Sequence, residues 1–187
     1  MKLQIVVAST RPGRIGPVIG DWFTQQAKAH GGFDVEVTDL AELALPFLDE
    51  ANHPMLGKYE HEHTKRWSAT VAGSDAFALV VPEYNHSFTA PIKNALDFLN
   101  KEWAYKPVGF VSYGGVSGGM RAVAMLKQVV ATLRMVPVVD AVTIPMVRTM
   151  LDEQGFHPTE IVEASVAPML DELARLAGPL AAVREAR

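Results

Sequence analysis

The sequence contains no cysteine. Disulfides, thiolate nucleophiles, Cys-ligated zinc and iron–sulfur clusters are therefore excluded, and a chain without covalent staples fits the cytosol. Lys and Arg never run longer than two in a row, and the formal net charge is -4. The sequence thus offers no basic face for nucleic acid. No apolar run reaches the ~18 residues of a membrane span. The first apolar stretch, Leu3 to Ala8, is too short for a signal segment and runs into Ser9-Thr10-Arg11 rather than a cleavage site. The expectation is a cytoplasmic protein with no nucleic-acid or membrane partner. Internal repeats and low-complexity segments are also missing.

What is present is a core. The 187 residues are 49% hydrophobic, which fits one domain over 1–187. Leu3 to Ala8 is apolar on both faces, like a buried parallel strand. Ile15 to Ala29 has helical spacing at Val18, Ile19, Trp22 and Phe23 and stops at Gly31-Gly32. Strand two is expected over Phe33–Leu40, then a long connection with two prolines, then a helix over Gly57–Ala72. Strand three covers Asp75–Val81, and a helix with proline in its first turn covers Pro91–Leu99. Strand four spans Pro107–Tyr113 and a helix Gly118–Arg134. Strand five is expected over Val136–Val139, with an extension to Val142-Thr143-Ile144. A closing helix runs from Thr159 to about Val183, with a break expected at Gly178-Pro179 and a frayed tail beyond it.

Strict alternation of strand and helix predicts an α/β three-layer sandwich, with a parallel sheet and helices on both faces. Five strands suggest the flavodoxin-like order 2-1-3-4-5, whose ligands sit at the carboxyl ends of the strands where strands one and three part.

Three loops lie at such ends. Ser9-Thr10-Arg11-Pro12-Gly13-Arg14-Ile15-Gly16 brings hydroxyls, glycines and two arginines to a helix N-terminus. Free N–H groups and the helix dipole favour an anion there, and arginine grips phosphate in two-pronged fashion. The loop matches neither nucleotide-binding glycine signature. The same residues also suit an ordinary turn with a capping serine and solvated arginines. After strand three comes Pro82-Glu83-Tyr84-Asn85-His86-Ser87, and after strand four Ser112-Tyr113-Gly114-Gly115-Val116-Ser117-Gly118-Gly119. Glycines there let backbone approach a flat ligand.

Other candidates carry less. Glu60-His61-Glu62-His63 has the composition of a metal cluster, but residues two apart on a helix do not face each other, so a solvated charged face is expected. Glu83 is a possible general base, although holding its own turn suits it better. Met120, Met125, Met135, Met146 and Met150 read as core or lid packing. A serine hydrolase is disfavoured because the G-x-S-x-G elbow is absent.

These motifs resemble the NADPH-dependent FMN reductases of flavodoxin-like fold, a group that includes quinone, chromate and azo-dye reductases. The marks are Ser9-x-Arg11 with Trp22 in the next helix; Pro82-Glu83-Tyr84-Asn85 with Ser87 and Lys93-Asn94-Ala95-Leu96-Asp97; the loop Gly114 to Gly119; and Asp39-Leu40 with Leu45-Pro46. The resemblance covers about residues 3–140. It implies bound FMN, its phosphate held by Ser9, Arg11, Arg14, Ile15 and Gly16. It implies an isoalloxazine lined by Pro82, Glu83, Tyr84 and Asn85, largely through backbone, with help from Ser87. Gly115, Val116 and Ser117 would close the other side. Lys93, Asn94 and Asp97 would steady the turn and its helix. Val116-Ser117 stands where some members have a polar ring between the glycine pairs.

The implied reaction passes a hydride from NADPH or NADH through flavin N5 to a small acceptor: a quinone, flavin, azo dye, nitroaromatic or metal oxyanion such as chromate. The flavin carries the chemistry, so no catalytic side chain is required. Family members form homodimers or homotetramers, and Tyr84, Phe88, Trp103 and Tyr105 are the expected interface aromatics. The alternatives are a flavin-binding electron carrier without a nicotinamide substrate and a non-redox binding domain of the same fold.

Overall fold

The computed structural model describes residues 1–186. The strands are β1 (Lys2–Val7), β2 (Asp34–Asp39), β3 (Ala76–Pro82), β4 (Pro107–Tyr113), β5 (Val136–Pro137) and β6 (Val142–Ile144), all paired in parallel in the order 2-1-3-4, with β5 and β6 both on the outer edge of β4. The expected order is thus present, with strand five interrupted. Pro137 brings no N–H to the ladder. Val138 still donates to Val108 at 3.0 Å, but Val139 turns out to solvent before pairing resumes at Val142.

Alternation of side chains along the buried strands feeds two cores. Leu3, Ile5 and Val7 of β1 and Ala78 and Val80 of β3 pack with Ile19 and Phe23 of α1 (Gly16–His30). On the opposite face Val6, Phe77, Leu79 and Val81 pack under a short helix α2 (Leu40–Leu43), α3 (Glu62–Ala72), α4 (Ala90–Asp97) and α5 (Met120–Thr132). A two-residue hairpin, β7 (Leu151–Asp152) and β8 (Gly155–Phe156), lays Phe156 edge-on against Trp22 at 5.2 Å. The chain closes with α6 (Glu160–Ala164) and α7 (Val166–Glu185). No helix among the described residues is long and apolar enough to cross a membrane.

Three expectations need correction. The closing helix breaks at Ser165, not at Gly178-Pro179, and runs on through Pro179 to Glu185. Gly178 and Pro179 lie on the exposed face, where solvent can satisfy the carbonyl that proline leaves without a donor. The tail is anchored rather than frayed, because Arg184 donates to the Tyr105 carbonyl at 2.7 Å and lies 3.4 Å from Asp75. Helix α3 starts at Glu62 instead of Gly57, since the Glu50 carboxylate accepts the N–H groups of Glu60 and His61 and holds that stretch extended. His61 therefore lies just outside the helix, and its ring stacks on His63 at 5.2 Å, above Asp49. Among the described residues no cluster suited to a metal ion is found.

Candidate active site

The loop after β1 delivers an uncapped helix. No side chain caps the N-terminus of α1, and its first turn holds no acidic residue. Its free N–H groups and dipole therefore stay available for an anion. Ser9 is 1% exposed, yet its Oγ has no hydrogen-bond partner; it sits beside the Tyr113 hydroxyl without a well-formed bond. A buried hydroxyl without a protein acceptor is open to a partner from a ligand or an ordered water. A methyl group on Gly16 would come within 2.0 Å of Ser9 Oγ and 2.9 Å of Tyr113 Oη, so only glycine leaves this cradle open. Burial pushes the Tyr113 phenol up to about 12, which keeps it protonated and able to donate.

The two arginines divide their work. Arg14 donates to the Ser9 carbonyl at 2.7 Å and to Asp39 at 2.6 Å, bracing the loop against the end of β2. Asp39 in turn caps α2 through Ala41 N–H. Arg11 is exposed, and among the described residues its guanidinium has no partner.

The turn after β3 is built differently. Tyr84 and Ser87 exchange both backbone hydrogen bonds at 2.9 Å, with Asn85 and His86 at φ 50° and 67° between them. Two left-handed residues in a two-residue loop make a type I′ hairpin, for which asparagine is well suited. Asn85 and Ser87 thereby build the turn and stay outside the cleft wall. Glu83 N–H donates to Tyr113 O at 3.0 Å, tying the turn to β4.

The Glu83 carboxylate is nearly buried, its side chain 7% exposed. It accepts from Ser117 Oγ at 2.9 Å, Arg121 N–H at 3.2 Å and Arg121 Nε at 2.8 Å. The Arg121 guanidinium, followed by Ser117, holds its carboxyl below the usual carboxylate range. With both oxygens engaged, Glu83 is a clamp between loops, not a base. The loop after β4 is also laced to the loop after β6: Met146 N–H donates to Gly115 O at 2.8 Å and Val147 N–H to Gly114 O at 3.1 Å.

These loops enclose a cleft of about 340 Å³, within the range of small-molecule sites. Of the residues singled out in the sequence, Arg11, Arg14, Ile15, Pro82, Glu83, Tyr84 and Gly115 line it. Ser9 and Gly16 do not line it; they lie behind Tyr113, whose hydroxyl a methyl group on Gly16 would meet at 2.9 Å. Val116 points outward at 86% exposure, and the Ser117 hydroxyl is spent on Glu83. Tyr113 and Gly114, expected only as part of the third loop, and Met146, expected as core or lid packing, also line it; the sequence reading missed Val147 to Thr149, which complete the wall, and Arg121, which holds it. The signal for the Met146 segment was its place after the last strand, at a carboxyl end. The expected interface aromatics also divide. Trp103 is 1% exposed and packs on Trp67 and Phe77, so it belongs to the core; Phe88 packs against the same core, while Tyr84 remains 38% exposed.

The chain is similar to several known proteins. Residues 1–149 match the family model described as NADPH-dependent FMN reductase. An NAD(P)H-dependent FMN reductase of Schizosaccharomyces pombe is 40% identical over 148 residues, 77% of this chain and 74% of that one. One from Saccharomyces cerevisiae is 29% identical over 180 residues, 87% of this chain and 94% of that one. The solved structure of a flavoenzyme NAD(P)H:(acceptor) oxidoreductase from Paracoccus denitrificans superposes with a TM-score of 0.73 at 21% identity, covering 95% of this chain and 97% of that one, which shows a shared fold. The match over most of the chain places it in the NADPH-dependent FMN reductase family.

Proposed function

We propose that this oxidoreductase holds FMN in the cleft between the loop after β1 and the Glu83 clamp, and uses it to pass electrons from NAD(P)H to a small acceptor such as a quinone. The observation that carries the reading is the unpartnered, buried Ser9 Oγ beside an uncapped α1 and a free Arg11. A phosphate would satisfy all three at once.

Bound FMN would supply the redox chemistry, taking a hydride at N5 and returning electrons to the acceptor. The protein's part is positioning. Arg11, Ser9 and the first N–H groups of α1 fix the phosphate end. Pro82, Glu83 and Tyr84 give a flat wall whose shape is held by the type I′ turn and the Arg121 pair. The Gly115 N–H has no protein acceptor among the described residues and lines the cleft, so it can donate to a negative edge of the ring. Arg148, at the mouth of the cleft and also without a protein partner, offers positive charge to the phosphates of NAD(P)H. No side chain in the cleft is needed as an acid or base.

A homodimer fits the exposed apolar side chains on the segment that follows α2. Phe47 is 86% exposed, Met55 58% and Leu56 55% on that segment, and Tyr84 is 38% exposed in the cleft wall. Isolated apolar side chains need no explanation, but several on one segment favour association. Sedimentation of the FMN-loaded protein should give twice the chain mass of 20.4 kDa.

The reading is tested by the visible spectrum of the purified protein under anaerobic conditions. A flavin spectrum that bleaches on adding NADPH or NADH, and returns on adding a quinone, is expected. A flavin that neither nucleotide bleaches would indicate an electron carrier, and a protein that takes up no FMN would end the reading altogether.

A further inference from the structure

A second cavity, of about 670 Å³, lies at the amino end of the sheet. The seven residues of β4 separate it from the cleft, roughly 20 Å at strand spacing. Its wall comes from the segment before β4, the end of α5, Arg184 of α7 and Met55 from the segment after α2. Among the described residues Lys101, Arg134 and Arg184 line it, and no carboxylate does. Arg184 is committed to Tyr105 O and Asp75. Glu102 is turned away, its carboxylate accepting from Tyr59, Ser68 and the Asn100 N–H. Lys106, buried below, donates to the carbonyls of Val71 and Ala72 and adds positive charge. Among the described residues neither the Lys101 ammonium nor the Arg134 guanidinium has a partner.

The backbone supplies an independent sign. Arg134 has φ 62° and Tyr105 φ 57°, and the Tyr105 N–H donates to Arg134 O at 2.8 Å. Arg134 follows the last turn of α5, the position where glycine or asparagine ends a helix without strain. Bulky residues held in left-handed backbone cluster at ligand sites, because there the side chain matters more than the strain. Here two of them share one cavity wall, each presenting its side chain to a positively charged space with apolar flooring from Leu133 and Ala104.

The geometry points to a binding site for a small organic anion of nucleotide size, its phosphate or carboxylate group on Arg134 and Lys101 and its flat part against Tyr105 and Leu133. The site is independent of the flavin reading. It is tested on FMN-saturated protein by following amide chemical shifts during titration with ADP and, separately, with inorganic pyrophosphate. Shifts centred on Lys101, Tyr105 and Arg134, with micromolar to low-millimolar affinity for ADP and weaker binding of pyrophosphate, are expected. Arg134→Gly should relax the backbone, raise Tm by about 2 °C and weaken ADP at least tenfold. Lys101→Ala should weaken it several-fold. Amides there that stay still at millimolar ligand, shifts confined to Gly115 and Arg148, or an Arg134→Gly protein that binds like the parent would each overturn the proposal.

Discussion

On one side of the cleft the Glu83 carboxylate is surrounded by donors; on the other the Ser9 hydroxyl has none. The Glu83 wall is a finished structure, with Arg121, Ser117 and Tyr113 O all satisfied by protein before any ligand arrives. The Ser9 wall is a set of unmet groups: a hydroxyl, a helix end and a guanidinium. On the proposed reading, a preformed platform faces a cradle that an anion would complete. The difference teaches where binding energy resides. Changes to the platform should act on folding, and changes to the cradle on ligand affinity.

The sharpest break of the platform is Gly119→Ala. At φ 89° a side chain is strained, and its Cβ would lie 2.7 Å from Ser112 Cβ and 2.9 Å from the Tyr113 backbone nitrogen. Left-handed strain plus overpacking predicts a loss of about 3 kcal/mol, read in urea unfolding of the FMN-free protein. Arg11→Ala should leave that unfolding curve in place. It should weaken FMN about 10–100-fold, the worth of a charge-assisted pair of roughly 1.5–3 kcal/mol, read by fluorescence titration.

Glu83→Gln should cost about 1 kcal/mol at neutral pH, an amount kept small because Arg121 is half exposed. Its pH dependence has a definite sign. The folded carboxyl titrates below its ordinary value of 4.5, so its stabilisation is present above that value and disappears as pH falls through the folded one. The gap between parent and Glu83→Gln should therefore be constant above pH 4.5 and close below it. Equal curves at pH 7 would show the clamp to be idle. Ser9→Ala has the smallest expected effect: unchanged or slightly raised stability without FMN, and FMN affinity lowered a few-fold by one lost neutral hydrogen bond.

Most of the fold was legible because apolar runs and breakers recur with the α/β period. Leu3–Ala8 and Ala76–Val81 are buried on both faces, and nothing else suits such runs. The errors arose where tertiary contacts decide. Glu50 delays α3, and an exposed Pro179 leaves α7 unbroken. The site was legible at the level of loops: all three lie at carboxyl ends of neighbouring strands. Individual roles were less so. Nothing in local sequence tells that Arg14 is tied to Asp39 while Arg11 is free, since that pairing spans 25 residues. Arg121 was invisible for the same reason, 38 residues from Glu83. Asn85 was conspicuous but belongs to the turn, and its neighbour in the I′ loop, His86, is not a residue that advertises one.

The contrast between the two walls is tested most directly by comparing FMN with riboflavin, which lacks the phosphate, in the parent and in Arg11→Ala. The predicted result is a parent that prefers FMN by at least tenfold and an Arg11→Ala protein that loses most of that preference while binding riboflavin as before. Equal affinity for both flavins in the parent, or an Arg11→Ala change that weakens riboflavin as much as FMN, would contradict the assignment of the β1 loop as the phosphate cradle.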